Sequence, residues 1–267
     1  MKQKLALLFA LATLAACQSI AAPPQVRANA HALSQYVFRG LPRHAHPVLQ
    51  GDMTVIMRTP TGEAVEVGSW ASLALTRASG DGALTEGLGD SSGQAGNVLE
   101  SRFRVIAHGD VGDTEIGIGL TTYDFPNLGV AGGSTAEVLA YWKGRAFWTR
   151  PSISVYYDID EVEGVYADLR LDKDLRHTER LTSTLSARAA YTDENHAEAL
   201  YGAAVDGLAD LGASWVFAFA ASLRTTLTCT FAYSTLTNDD FVDALAARGT
   251  GFESDNFWAG LGVSWGY

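Results

Sequence analysis

Gly89-Asp90-Ser91-Ser92-Gly93 has the G-x-S-x-G spacing that presents a nucleophilic serine in many hydrolases. That chemistry needs Ser91 on a sharp strand-to-helix turn, with a histidine base and an acid arranged around it. The residues that follow, "QAGNVLE", carry no helical period, and residues 80–96 are rich in glycine. Only His31, His44 and His46 precede the serine, which fits the chymotrypsin order poorly. Ser91 is therefore read as part of a surface loop, and no catalytic residue is expected. His44 and His46, in "PRHAHP", could share a metal ion, but a structural site needs further ligands and the segment offers none. The acidic run "DIDEVEG" (158–164) lacks the ligand spacing of an EF-hand loop and reads as a tip that attracts divalent cations only loosely. No cofactor is implied.

A different set of charged residues is more informative. Arg39, Glu100, Arg102, Arg104, Asp158, Asp168 and Arg170 all fall at positions that alternate with apolar side chains. Period-two alternation is the signature of a strand with two unlike faces. Ile116, Ile118 and Leu120 interleave with Glu115, Gly117, Gly119 and Thr121; Leu227, Cys229, Phe231 and Tyr233 interleave with Thr226, Thr228, Thr230 and Ala232. Cys229 is one of the small apolar side chains of that run, and no disulfide framework is legible. The chain ends in the same way, with Phe257, Ala259, Leu261, Val263, Trp265 and Tyr267 at every second position up to the last residue. A free terminus usually frays, so such regularity points to a last strand held in a closed sheet.

Polarity decides which way these faces point. The polar faces are rich in Gly, Ser and Thr, and the apolar faces repeatedly end in Tyr, Trp or Phe. That suits a lipid-facing exterior with aromatic girdles around a polar lumen. Hydrocarbon offers backbone groups no partner, so a sheet that spans it must close. Compact turns such as "TPTGE", "HGDVGD", "WKGRAF" and "FAASL" alternate with long loops at 78–97, 124–133, 192–206 and 235–255. This is the outer-membrane arrangement, with short turns in the periplasm. We expect an all-β, antiparallel, up-and-down transmembrane barrel of about 12 strands, with 10 and 14 as the alternatives. The first strand is expected near residues 30–39, which places Arg39 on a strand face. "DDFVDALAAR" (239–248) has helical spacing and is expected to be a short helix over the pore mouth, inside it, or in a surface loop.

Composition agrees. Apolar residues make up 47% of the chain, which excludes a disordered protein. The formal charge is −11, which argues against a nucleic-acid partner. Lys2 and Lys4 precede the apolar run "LALLFALATLAA", an export signal too short to span a bilayer. Two cleavage sites compete: Leu14-Ala15-Ala16-Cys17 resembles a lipobox that would lipidate Cys17, and Ser19-Ile20-Ala21 suits ordinary cleavage after Ala21. The expected organisation is a signal peptide over 1–17, a linker over 18–29 and a barrel over 30–267.

"SQYVFRGLP" followed by "PVLQGD" resembles the first hairpin of the TorF-type porins, the Gcw_chp family of Gram-negative outer-membrane proteins. "STAEVLAYW" and "PSISVYYDIDEVEGVYADLRL" resemble that family's middle hairpins. The closing residues Phe257, Leu261, Val263, Trp265 and Tyr267 resemble the signal read by the barrel-assembly machinery. The resemblance implies an outer-membrane barrel with a channel role and no catalytic residues. The lipobox and the glycine-rich loop depart from it. From the residues and the resemblance together we expect a passive, porin-like channel for small polar solutes or ions. Acidic outer loops would enrich cations, and lumen charges would set selectivity. The alternatives are a side-chain-filled barrel acting as a structural or surface-interaction protein, and thirdly a lipid-acting barrel enzyme. Outer-membrane lipid is the expected surround.

Overall fold

The computed structural model describes residues 23–76, 95–126, 133–248 and 253–267. Cys17 and Ser91, with the cleavage sites, lie outside them. Twelve long strands close into one antiparallel barrel: β1 (Gln25–Leu33), β4 (Val48–Arg58), β5 (Ala64–Ala74), β6 (Val98–Val111), β7 (Thr114–Asp124), β8 (Ser134–Gly144), β9 (Arg150–Asp158), β10 (Val165–Arg176), β11 (Leu181–Thr192), β12 (Gly207–Ala220), β13 (Thr225–Leu236) and β14 (Asp255–Gly266). Each pairs with its sequence neighbour, and β1 closes the ring against β14. Two further strands, β2 (Tyr36–Phe38) and β3 (Leu41–His44), form a separate hairpin between β1 and β4. Among the described residues, two helices interrupt the loops: α1 (Glu194–Tyr201) and α2 (Asp239–Arg248).

The alternation sorts the side chains as expected for a barrel in lipid. Met53, Phe103, Ile118, Leu169, Phe231 and Leu261 point outward and are exposed. Phe257, Trp265 and Tyr267 lie on the same outer face. The chain end is secured: Tyr267 N–H donates to Val26 O at 2.9 Å, and Val26 N–H donates to Tyr267 O at 3.0 Å.

Two sequence expectations shift at the N-terminal side. β1 begins at Gln25, inside the segment read as linker, because its alternation already suits pairing with Ile56 and the residues before it. It also ends at Leu33, so the run expected as one strand over 30–39 is broken. Arg39 therefore sits on an inserted hairpin and not on a wall strand.

Glycines at the β1–β14 seam make room inside the barrel. A Cβ at Gly262 would collide with the side chains of His31 and Thr228, and one at Gly260 would meet Leu33 and lie 3.0 Å from Ala32 O. Overpacking of this kind costs about 1–3 kcal/mol. Gly262→Val should therefore lower the temperature at which the folded band converts to the unfolded band in unboiled gels. A conversion temperature equal to wild type would show that the seam tolerates the added bulk.

Candidate functional site

The hairpin crosses the lumen near the end that carries the long loops. Its tip, Phe38-Arg39-Gly40-Leu41, turns with positive φ at both central residues, 51° at Arg39 and 79° at Gly40. Two-residue hairpins of the tightest kind require this. It is free for glycine and costs a non-glycine residue about 1–2 kcal/mol. Gly40 is required for a second reason: a Cβ there would lie 2.7 Å from Leu236 Cδ2 and 2.9 Å from Asp210 Cβ.

Polar contacts around the wall hold the tip. Arg39 makes a bidentate pair with Glu137 on β8, at 2.7 and 2.8 Å, and both side chains are buried. Tyr123 on β7 also donates to Glu137, at 2.7 Å. The Arg39 guanidinium lies 4.3 Å from the Tyr166 ring centroid and 5.2 Å from that of Tyr156. Gly40 O accepts from Asn256 on β14 at 3.1 Å, and Arg39 O accepts from Tyr201 on α1 at 2.9 Å. At the base of the hairpin, Tyr36 donates to Glu100 at 2.7 Å and accepts from Arg102, which also pairs with Glu100.

His196 of α1 completes the latch. Arg39 Nη1 lies 2.6 Å from His196 Nε2. Arginine can only donate, so Nε2 is unprotonated and the ring proton sits on Nδ1, facing Thr192 Oγ1 at 3.0 Å. Burial, together with the positive charges of Arg39 and Arg43, pushes the imidazole pKa down to about 3. α1 itself is fixed by its caps. Asp193 accepts from His196 N–H, and Gly202 at φ 86° ends the helix. A second carboxylate oxygen of Asp193 accepts from Val165 N–H, tying α1 to β10. Tyr201 stacks on Phe241 of α2 with centroids 4.6 Å apart. Phe241 and Leu245 are buried with Leu41, Tyr201 and Leu236 in an apolar cluster at this end. Each such side chain contributes about 1.5–3 kcal/mol by leaving water. The helix at 239–248 thus packs inward on α1 and the hairpin cluster.

The other charged residues named from sequence take distinct places. Glu100, Arg102 and Arg104 stand on β6; Arg104 donates to Thr54 at 3.1 Å. Arg170 is tied to Asp172 and Ser186. Asp168 lines a cavity of about 330 Å3 beneath the hairpin, with Arg102, Tyr156, Arg170, Arg188 and Trp258. Asp158 acts as a loop anchor: one oxygen accepts from the backbone N–H of Asp160, Glu161 and Val162, and the other from Thr135. His44 is buried with its ring 5.7 Å from that of His46, and no group of metal-binding residues surrounds them among the described residues. Glu137, His196 and Tyr201 were not anticipated. Only α1 left a trace in the sequence, with Asp193 and Gly202 bracketing it as caps.

No family model matches the chain, and no curated protein does. Solved structures do. The COG4313 outer-membrane channel from Pseudomonas putida F1 is 11% identical, with 92% of this chain and 97% of that one covered and a TM-score of 0.55. The KdgM porin is 6% identical, with coverage of 90% and 98% and a TM-score of 0.47. At such identities the likeness concerns the fold alone. The chain shares the closed antiparallel barrel of bacterial outer-membrane channels.

Proposed function

We propose that this protein is an outer-membrane channel for small polar solutes or ions, in which the β2–β3 hairpin sets the limiting constriction. The observation that carries this reading is a lumen left unfilled below the hairpin. The cavity of about 330 Å3 there is walled by Gly212, Ser214 and Ala232 as well as by charges. A barrel meant only as a scaffold would fill that space with larger side chains. The hairpin itself is held largely by ion pairs and hydrogen bonds that can exchange for water. A second reading, the filled barrel acting at the surface, is favoured by one observation: hairpin residues meet side chains of β5, β6, β7, β8, β12, β13 and β14. Conductance of the refolded protein in a planar bilayer separates the two.

The ion preference follows from where charge lies. Asp160, Glu161, Glu163, Asp239, Asp240 and Asp243 occupy the long-loop end, and Lys143, Arg145, Lys173, Arg176, Arg180 and Arg224 occupy the opposite end. An acidic mouth enriches cations within about one Debye length, roughly 10 Å at 0.1 M salt. Reversal potentials across a KCl gradient should therefore show a cation preference that weakens as salt rises. Anion preference at both low and high salt would assign control to Arg102, Arg170 and Arg188 in the lumen.

A further inference from the structure

Three guanidiniums gather around the Phe38 ring, with Arg39 at 4.9 Å, Arg43 at 5.6 Å and Arg102 at 4.8 Å from its centroid. Two carboxylates answer them. Glu137 is engaged in both directions by Arg39 and takes the Tyr123 hydroxyl as well. Glu100 is engaged by Arg102 and Tyr36. Arg43 has no hydrogen-bonded partner among the described residues, and its Nε is sealed from solvent without an acceptor. Glu100 attracts it electrostatically, while Arg39 and Arg102 repel it. The cluster therefore carries one positive charge more than it neutralises, located on Arg43.

Arg43 faces a pocket of about 170 Å3 at the long-loop end, separate from the larger cavity beneath the hairpin. One side of the pocket is apolar, with Phe38, Phe125, Ala199 and Leu200. The guanidinium lies 5.6 Å from the Phe38 ring centroid and 5.7 Å from that of Phe125, so it borders both rings. Two of the three acidic groups in the lining are already occupied, and the third faces solvent. Glu137 is paired, Asp158 accepts three backbone N–H groups and a hydroxyl, and Glu161 is exposed at the rim. Arg43 is half-buried with one sealed N–H unpaired, and a carboxylate supplies two oxygens to the remaining guanidinium nitrogens in the geometry they prefer. The volume is below the roughly 300–1,000 Å3 of pockets for drug-sized ligands, so the occupant is small.

We propose that this pocket binds small carboxylates carrying an aromatic or apolar body, with Arg43 as the anchor for the carboxylate. The Phe38 and Phe125 rings and Leu200 receive the apolar part. The site does not depend on the channel reading, since binding is measurable whether or not the barrel conducts.

Calorimetric titration of the refolded full-length chain in detergent tests it, with benzoate, benzyl alcohol and inorganic phosphate as probes. Benzoate should bind saturably at one site, and benzyl alcohol at least tenfold more weakly. The latter lacks both the charge and the second oxygen that a bidentate pair with the guanidinium needs. Phosphate should also bind more weakly than benzoate, having nothing for the two phenyl faces to hold. Arg43→Gln should lose benzoate binding at least tenfold, with Arg43→Lys between the two. Equal binding of benzoate and benzyl alcohol to the wild-type protein would overturn the proposal, as would phosphate matching benzoate. Undiminished benzoate binding by a folded Arg43→Gln barrel would do the same. The wild-type comparison stands even if the variant fails to refold.

Discussion

Arg39→Ala should raise the single-channel conductance of the refolded protein severalfold. The substitution removes the bidentate pair with Glu137, the contact with His196 and the stacking on Tyr166 in one step. It also leaves Glu137 buried with only Tyr123 to hold it. Breaking a buried pair by removing one partner costs about 3–5 kcal/mol. At about 1.4 kcal/mol per decade, that shifts the ratio of docked to undocked hairpin by roughly a hundredfold or more. The paired substitution Arg39→Met with Glu137→Leu provides the control. Replacing both ions by apolar groups of similar size is close to neutral or stabilising, so conductance should return toward wild type. If conductance rises equally in the single and paired variants, charge in the lumen, and not hairpin docking, governs permeation.

Acidification should loosen the same latch. His196 must be unprotonated at Nε2 to accept from Arg39, and its pKa is held at about 3 in the docked state. In an undocked α1 the imidazole returns to about 6.5. A pKa depressed by docking means the docked form favours the neutral ring. The full docking energy is present above about pH 6.5 and is lost progressively as pH falls toward 3. Each pH unit below 6.5 removes about 1.4 kcal/mol, so about 2 kcal/mol is gone by pH 5. The groups facing the ring in this window are Arg39 and Arg43, which stay charged, together with Thr192 and Tyr166. Conductance should therefore increase between pH 7.5 and pH 5. His196→Gln offers an acceptor that does not titrate, and its response should be flat across the same range. An equal pH response in His196→Gln would place the sensor elsewhere.

How far these features could be read from the sequence depends on how local their causes are. The barrel was legible because its cause is local. Alternation in runs such as Leu227–Tyr233, with Thr228, Thr230 and Ala232 on the inner face, states both strand and orientation. Short turns and long loops set the strand count. The hairpin was not legible, because Tyr36-Val37-Phe38 reads as strand like the residues before it and "FRGL" is a weak turn signal compared with Asn-Gly or Asp-Gly. Nothing near Arg39 in sequence identifies Glu137, which lies 98 residues away and is brought opposite only by closure of the sheet. Asp158 reads as one more lumen charge until the loop folds back on its carboxylate. The helix over 239–248 was visible from its spacing, but its burial depends on Tyr201, contributed by another loop.

Deleting the hairpin decides whether it constricts the lumen. Leu33 and Val48 are paired neighbours in the β1–β4 ladder, so residues 35–46 can be replaced by a short Gly/Ser turn without moving either strand. Single-channel recordings in a planar bilayer should show small unit steps for the wild-type protein and much larger ones for the deletion variant. Both proteins should keep heat-modifiable migration. If the variant migrates as a folded barrel and conducts no more than wild type, the hairpin is not the constriction and the barrel is not a channel gated there.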